Sequence, residues 1–210
     1  SPEHPFAALL GGAKVSDKIN LIENIVSKVD LLLIGGGMAA TFLKVRGYEV
    51  GLSLVESDKQ ALAKRLVQTA QRDGISLHLP VDVVVAESID VLAAGKIVPV
   101  TDIPPNKYIV DIGPKTIESF SRELRQCRTV FWNGPMGVYE IPQFAKGTKA
   151  VVEVLANLKA TTIVGGGSTA EIIEDMNMTD KMTHVSTGGG ASLAFLEGRS
   201  LPGVEALADK

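Results

Sequence analysis

The sequence predicts an α/β fold in which a doubly wound, mostly parallel sheet carries helices on both faces. Short apolar segments of strand character alternate with amphipathic helical segments along the whole chain, the pattern of parallel strands that helices cover on both sides. Five of the apolar segments end in glycine-rich turns, at residues 11–12, 35–37, 134–135, 165–167 and 188–190. No break in composition divides the 210 residues. We therefore expect a single Rossmann-like domain over residues 1–210.

The strands are predicted from aliphatic runs bounded by glycine, proline or charged residues. They are residues 6–10, 30–34, 76–79, 81–86, 108–112, 128–132, 161–164 and 183–186. Residues 87–105 show no helical period, and a hairpin or a loop is predicted there.

The helices are predicted from apolar residues at three- and four-residue spacing and from capping signals. One begins near residues 16–17 and one at Pro114, a favoured first helical position; the others are residues 38–46, 57–73, 146–158, 168–175 and 191–197. Ser57 is predicted to cap the helix over residues 57–73. Ser168, three residues before Glu171, predicts a capping box.

Composition excludes several functional classes. The net charge is −3 and there is no basic run with interleaved aromatic residues, which argues against a nucleic-acid partner. Cys127 is the only cysteine, so a disulfide framework is excluded and a reducing compartment, the cytoplasm, is expected. No apolar stretch approaches the roughly 20 residues that span a bilayer, and no membrane partner is expected.

The glycine turns predict a site for a phosphate chain. A glycine turn after a strand lets backbone N–H groups approach a ligand, and the following helix offers the positive end of its dipole. Several such turns at one edge of a parallel sheet favour a nucleotide. The alternative is that each glycine triplet only allows close packing of a helix on a strand.

Two segments add side chains to this site. Lys14 and Lys18 are four residues apart, so in a helix they would share one face and reach one phosphate chain; alternatively both are solvated surface residues. In residues 132–140, a rigid turn ends in Glu140, which could accept both hydroxyls of a ribose, while Pro135 and Val138 could wall a flat base. The alternative is an ordinary tight turn.

The pattern G-x-G-x-x-A occurs twice, at residues 35–40 and 165–170, but the acidic residue that should end the next strand is missing after the first. No G-x-x-x-x-G-K-[ST] is present. The histidines, His4, His78 and His184, have no catalytic or metal-binding spacing. Phosphoryl transfer needs no such set, because positioning and charge neutralisation do most of its work.

Seven segments, in this order, resemble the nucleotide-binding, C-terminal half of phosphoglycerate kinase: LGGAKVSDKI, IGGGMA, DIGPKT, VFWNGPMGVYE, VGGGSTAE, HVSTGGGASLAFLEG and LPGV. The resemblance covers nearly the whole chain. It implies reversible transfer of a phosphoryl group from 1,3-bisphosphoglycerate to ADP, which gives ATP and 3-phosphoglycerate, with Mg²⁺ as cofactor. A dinucleotide-dependent oxidoreductase domain is the alternative, and a binding module that has lost nucleotide affinity is a third.

The resemblance also implies residue roles. Lys18 would contact the nucleotide phosphates, Asn133 would lie near them, and Glu140 would hold the ribose. The adenine slot would consist of Gly12, Ala13, Gly36, Gly37, Val110, Pro135 and Val138. Two helix N-termini would face the phosphates, with Gly166, Gly167, Ser168 and Thr169 in one and Gly188, Gly189 and Gly190 in the other. Lys14, Gly167, Gly189 and Gly190 form the catalytic group.

Two departures from the family matter. The family often has Asp, a magnesium contact, where this chain has Ser168, so the protein ligand of the metal is left open. The family's N-terminal domain, which binds 3-phosphoglycerate and supplies a transition-state arginine, is absent. The opening residues 1–5 read as a linker, so the chain is expected to be a fragment. Without the other domain it is expected to show little or no turnover, and it is expected to be a monomer. Its tail, residues 201–210, should be poorly ordered or repacked.

Overall fold

A parallel sheet of six strands and an antiparallel sheet of three make up the strand content of the computed structural model, which describes residues 1–186 and 188–207. The strands are Phe6–Leu10 (β1), Leu31–Ile34 (β2), Ser76–His78 (β3), Asp82–Ala86 (β4), Lys96–Pro99 (β5), Tyr108–Ile112 (β6), Thr129–Asn133 (β7), Thr161–Gly165 (β8) and His184–Val185 (β9). The large sheet has the order β3-β2-β1-β7-β8-β9, with every pairing parallel. The predicted fold class is confirmed.

The smaller sheet, in the order β5-β4-β6, differs from the prediction. Strands β4 and β6 were expected as members of the alternating α/β series, but both pairings of β4 are antiparallel. Residues 87–105 were predicted to form a hairpin or a loop; β5 lies within them and folds back onto β4, which precedes them. A short connection permits antiparallel pairing, whereas a parallel pair needs a long crossover. Apolar runs alone do not reveal which strands pair.

The helices are Ile19–Ile25 (α1), Ala39–Val45 (α2), Gln60–Arg72 (α3), Pro114–Leu124 (α4), Lys146–Ala156 (α5), Gly167–Asp175 (α6), Gly189–Leu196 (α7) and Pro202–Glu205 (α8). Six short 3-10 helices accompany them in the part of the chain that the structure describes: Ser16–Lys18, Val26–Lys28, Ser57–Lys59, Val100–Asp102, Pro142–Phe144 and Thr179–Lys181. None of the helices in the described residues has the length and apolar character needed to cross a bilayer.

Both predicted side-chain caps are wrong. Ser57 begins a 3-10 helix ahead of α3, and no side chain caps either element. Helix α6 begins at Gly167, so Ser168 already lies within its first turn and cannot occupy the N-cap position, which is Gly166. In the tail, α8 has no buried residue, and residues 208–210 lie outside the described part of the chain.

The core lies on both faces of the large sheet. Along β1, Ala7 and Leu9 join one cluster with residues of α4, α5 and α6, while Phe6, Ala8 and Leu10 join another with residues of α1, α2 and α3. This alternation follows from the two-residue period of a strand. Because the strand order reverses between β1 and β7, a crevice is expected at their carboxyl ends, where α/β proteins of this type bind ligands.

Candidate functional site

The glycine turns after β1, β2 and β7 pack directly on one another at this crevice. The Gly12 N–H donates to the Pro135 carbonyl (2.9 Å), and the Gly36 N–H donates to the Met136 carbonyl (3.1 Å). Gly36 has φ +64°, and a Cβ there would lie 2.6 Å from the Gly12 nitrogen. At these two positions the turns pack closely and both N–H groups already have protein acceptors, while the predicted contact of the glycines with a nucleotide stays a prediction.

An apolar cavity of about 300 Å³ opens beside these turns. All seven residues predicted for the adenine slot line it, together with Glu140: Gly12, Ala13, Gly36, Gly37, Val110, Pro135 and Val138. Its opposite side comes from the small sheet and from the segment before α3, through Tyr108, Leu54 and Ile89. We call this space the apolar cavity.

A second cavity, of about 230 Å³, lies on the other side of the same turns. Its lining includes seven residues predicted to face phosphates: Lys14, Lys18, Asn133, Gly166, Gly167, Ser168 and Thr169. We call it the polar cavity. Gly12, Ala13 and Pro135 line both cavities, so the two spaces adjoin across one narrow wall.

The two lysines reach the polar cavity without sharing a helical face. Lys14 precedes the 3-10 helix Ser16–Lys18 and is exposed, while Lys18 ends that helix and is partly buried. The Lys18 ammonium donates a hydrogen bond to Asn133 Oδ1. Burial lowers the pKa of Lys18, and the neighbouring Asp17 carboxylate opposes that shift. Lys18 forms no ion pair within the described residues, which leaves its charge available to an anion.

Two of the polar side chains predicted for the site, Asn133 and Thr169, already form hydrogen bonds with backbone groups beside the polar cavity. The Asn133 amide donates to the Gly165 carbonyl (2.6 Å), and the Thr169 hydroxyl accepts the Gly134 N–H (2.8 Å). Asn133 and Thr169 are 2% and 1% exposed. Both therefore hold β7, β8 and α6 in register. The first-turn N–H groups of α6, which have no intrahelical acceptors, remain the donors directed to the polar cavity.

The predicted residues after β9 are at the start of α7. Gly188 is the N-cap of this helix and lines a separate cavity with Phe195. Leu193, in the same helix, lines the polar cavity. Gly189 and Gly190 begin the helix. Their catalytic role stays a prediction.

Several lining residues were missed by the sequence interpretation. Leu54 and Ile89 lie in segments without periodicity, so no local signal could place them. Asp17 and Asp111 stand inside recognised segments, but nothing in those segments pointed to their carboxylates. Asp111 is 1% exposed, and burial raises its pKa to about 7 although backbone N–H groups oppose the shift.

The donor set was tested for a divalent cation. No group of three or more His, Cys, Asp or Glu side chains that could hold a metal occurs in the described ranges 1–186 and 188–207. The polar cavity does contain two oxygen ligands, the Asp17 carboxylate and the Ser168 hydroxyl. Mg²⁺ commonly takes one or two protein ligands and completes its shell with phosphate oxygens and water. The residues present fit a magnesium ion that arrives with a phosphate chain.

Comparison with known proteins agrees with this geometry. The family model described as phosphoglycerate kinase matches residues 1–199. The phosphoglycerate kinases of Pelotomaculum thermopropionicum and Clostridium novyi are each 54% identical to the chain over 210 residues, which is all of the chain and 53% of either relative. The chain thus spans about half the length of these relatives.

Solved structures give the same result. Phosphoglycerate kinase from Coxiella burnetii superimposes with a TM-score of 0.94 at 43% identity, over 98% of this chain and 53% of that one. The enzyme from Pyrococcus horikoshii superimposes with a TM-score of 0.83 at 33% identity, over 99% of this chain and 52% of that one. These matches do not support the oxidoreductase alternative. The chain belongs to the phosphoglycerate kinase family.

Proposed function

We propose that this chain is the ADP/ATP-binding half of a phosphoglycerate kinase, the enzyme that transfers a phosphoryl group between 1,3-bisphosphoglycerate and ADP. The observation that carries the proposal is the shared wall of the two cavities, formed by Gly12, Ala13 and Pro135. A nucleotide is apolar and flat at one end and anionic at the other. A molecule of that kind, lying across these three shared residues, places its base in the apolar cavity and its phosphates in the polar cavity.

The base occupies the apolar cavity. Its faces pack against aliphatic side chains and glycine backbone, with Val110 and Val138 on one side. Glu140 is exposed at the edge of this cavity, where its carboxylate accepts hydrogen bonds from the ribose hydroxyls. Contact with aliphatic side chains and glycine backbone supplies affinity for the base, and the polar groups fix its orientation.

The phosphate chain occupies the polar cavity. Lys18, partly buried and without a carboxylate partner in the described residues, neutralises part of its charge, and the first turn of α6 donates N–H groups to it. Lys14, exposed on the same cavity, approaches the transferring phosphoryl group. These groups act by positioning and by electrostatic stabilisation, which is what phosphoryl transfer requires.

Asp17 and Ser168 are the residues that would hold Mg²⁺ beside the phosphates. The ion would neutralise charge on the phosphate oxygens. Ser168 offers a neutral oxygen, so most of the coordination falls to the phosphates and to water.

Turnover in this family also involves the part of these relatives that the 210 residues, at 53% of their length, do not span. The family's N-terminal domain binds 3-phosphoglycerate, and closure of the two domains aligns the reactants. The 210-residue chain is therefore expected to bind nucleotide with little or no turnover, in the cytoplasm and as a monomer.

Competition between fragments of the nucleotide tests this assignment. In calorimetric titrations, ADP should bind with one-to-one stoichiometry, and it should displace both adenosine and tripolyphosphate. Adenosine and tripolyphosphate should not displace each other, because they occupy different cavities. A folded chain that binds none of the three, or that binds NADH more tightly than ADP, would overturn the proposal.

A further inference from the structure

Asp111 is a buried carboxyl group at the apolar cavity to which the proposed function gives no role. It lies on β6, is 1% exposed and belongs to the lining of that cavity. Its Oδ1 accepts the Ile112 N–H and its Oδ2 accepts the Gly147 N–H at the start of α5, both at 2.8 Å. Asp111 thus joins β6 to the helix that follows the loop of residues 134–145, which we call the wall loop.

The wall loop also packs on Asp111 directly. A Cβ on Gly137 would lie 2.4 Å from Asp111 Oδ1, so only a glycine leaves space for the carboxyl group. One residue further on, the Val138 N–H donates to the carbonyl of Val110, the neighbour of Asp111 (2.8 Å). The position of Val138, and with it one side of the apolar cavity, depends on this contact.

We propose that Asp111 is a positioning residue for the nucleotide base, and that it holds the wall loop most firmly when its carboxyl group carries a proton. This inference rests on the proposed function. The carbonyl oxygen of Phe144 lies 2.6 Å from the same Cβ position on Gly137 that Asp111 Oδ1 approaches. These contacts leave Asp111 only 1% exposed, and burial of a carboxyl group disfavours its charged form.

The surroundings favour the proton. Burial raises the pKa of Asp111 to about 7, because the apolar packing disfavours the charge more than the backbone N–H groups favour it. The charged or titratable groups on the elements packed around it are Lys146, Lys149 and Glu153 on α5, Tyr139 and Glu140 on the wall loop, Asp82 on β4 and Tyr108 on β6. Of these, Lys146 lowers the pKa, and Asp82 is engaged by the first N–H groups of α4.

The direction of the pH effect follows by linkage. Opening of the wall loop would hydrate Asp111 and return its pKa towards the ordinary value, so the closed wall binds the proton more tightly than the open one. Acid conditions near pH 6 therefore favour the closed wall. Binding of a base, which needs that wall, should take up a proton from solvent near neutral pH.

Adenosine is the probe, because it has no phosphate whose own titration would interfere. The readout is the fluorescence of Trp132, the single tryptophan, whose indole N–H donates to the Gly134 carbonyl at the start of the wall loop (2.8 Å). For the unaltered chain, the dissociation constant for adenosine should tighten by at least about threefold between about pH 8 and about pH 6.

Two variants separate positioning from proton binding. Asp111→Asn has no carboxyl proton to gain or lose, although its amide NH2 can replace only one of the two oxygens that accept backbone N–H groups, so its affinity for adenosine should be independent of pH. Asp111→Ala should bind adenosine more weakly at every pH. All other residues are the same in the three forms, so the difference between variants isolates Asp111.

Equal pH dependence in the unaltered chain and in Asp111→Asn would overturn the inference, and so would an Asp111→Ala variant that binds normally. If the variants do not fold, calorimetric titration of the unaltered chain with adenosine in two buffers of different ionisation enthalpy measures the number of protons taken up on binding. Net proton uptake on adenosine binding supports the inference, and release or no exchange overturns it. Absence of ADP binding at every pH would overturn the proposed function as well, whereas normal ADP binding with these negative results removes only the role of Asp111.

Discussion

Lys18 and Asn133 are 115 positions apart in the sequence, yet the ammonium group of Lys18 donates a hydrogen bond to the side-chain oxygen of Asn133. The Asn133 amide then donates to Gly165, at the end of β8. This chain of contacts ties the turn after β1 to the two strands beyond it. It also holds the lysine in a buried position, facing the polar cavity.

Removal of the Lys18 charge should weaken ADP binding strongly. A charge-assisted hydrogen bond contributes about 1.5–3 kcal/mol, so Lys18→Ala should raise the dissociation constant for ADP by about 10- to 100-fold in calorimetry. Lys28→Ala is the matched control, because Lys28 is exposed and precedes β2, at the opposite end of the sheet. Equal affinity in the two variants would show that the phosphates do not lie over the first glycine turn.

Gly36→Ala should destabilise the fold. The new Cβ would lie 2.6 Å from the Gly12 nitrogen and 2.7 Å from the Pro135 carbonyl oxygen, at a φ of +64°. The cost should exceed about 2 kcal/mol of unfolding free energy, measured by urea denaturation. Gly167→Ala, where a Cβ meets nothing within 4 Å, should change stability by less than about 0.5 kcal/mol. A similar cost at both glycines would contradict the close packing of the turns.

Thr169→Val should leave the buried Gly134 N–H without an acceptor. The Thr169 hydroxyl accepts that N–H at 2.8 Å, and loss of such a partner costs about 1–3 kcal/mol of unfolding free energy. Thr161→Val, at an exposed position of β8, serves as the control and should be nearly neutral. Should Thr169→Val prove neutral as well, the hydroxyl does not support the turn after β7.

Ser168→Asp should make nucleotide binding more dependent on magnesium. A carboxylate in the first turn of α6 repels bare phosphates but binds Mg²⁺ more strongly than a hydroxyl does. In paired titrations, ADP should bind this variant more weakly than the unaltered chain without the metal, and the gain on adding Mg²⁺ should be larger. Ser168→Ala provides the reference for loss of the hydroxyl. An unchanged magnesium effect in Ser168→Asp would place the ion elsewhere.

The stability of the fold should depend on pH through Asp111. Because its pKa is raised to about 7 in the folded chain, the folded state binds this proton more tightly than the unfolded chain does, for which 3.8 is the ordinary value. The Asp111 contribution to the free energy of unfolding is complete below the pKa of the unfolded chain, 3.8, and is lost as pH rises through the folded-state pKa of about 7. The loss amounts to as much as about 4 kcal/mol.

Urea denaturation at several pH values measures this effect as the difference between the unaltered chain and Asp111→Asn. The difference cancels the opposing contributions of other carboxylates. The stability of the unaltered chain should fall relative to that of the variant between about pH 5 and about pH 8. Parallel pH profiles would show that the Asp111 carboxyl group titrates normally.

Much of the fold could be predicted from sequence because its determinants are local. Strand β1 was predicted at its observed residues, since an apolar run bounded by Pro5 and Gly11 leaves little freedom at either end. The separate antiparallel sheet could not be predicted in the same way. The pairing of β4 with β6 is a choice between partners that are distant in the sequence and have similar apolar patterns.

In the candidate site, too, features set by local sequence could be predicted, and features set by long-range contacts could not. The residues predicted for the adenine slot line one cavity; most of them follow β1, β2 or β7, whose carboxyl ends lie at the same edge, whereas Val110 lies within β6 of the small sheet. The use of the glycine N–H groups could not be predicted, since their acceptors come from a different turn. Nor could the burial of Asp111, which depends on where the wall loop packs rather than on the residues beside it.

The position of β1 has a consequence for synthesis of the chain. One edge of β1 pairs with β2, which follows shortly after it in the sequence. The other edge pairs with β7, where Phe6 lies opposite Thr129, and β7 is synthesised much later. An emerging chain therefore carries a fully apolar strand with one open edge until most of the sequence has been made, and such edges invite association with other chains. Strand β1, which carries the first glycine turn of the nucleotide site, is therefore the segment that most needs protection from association with other chains during synthesis.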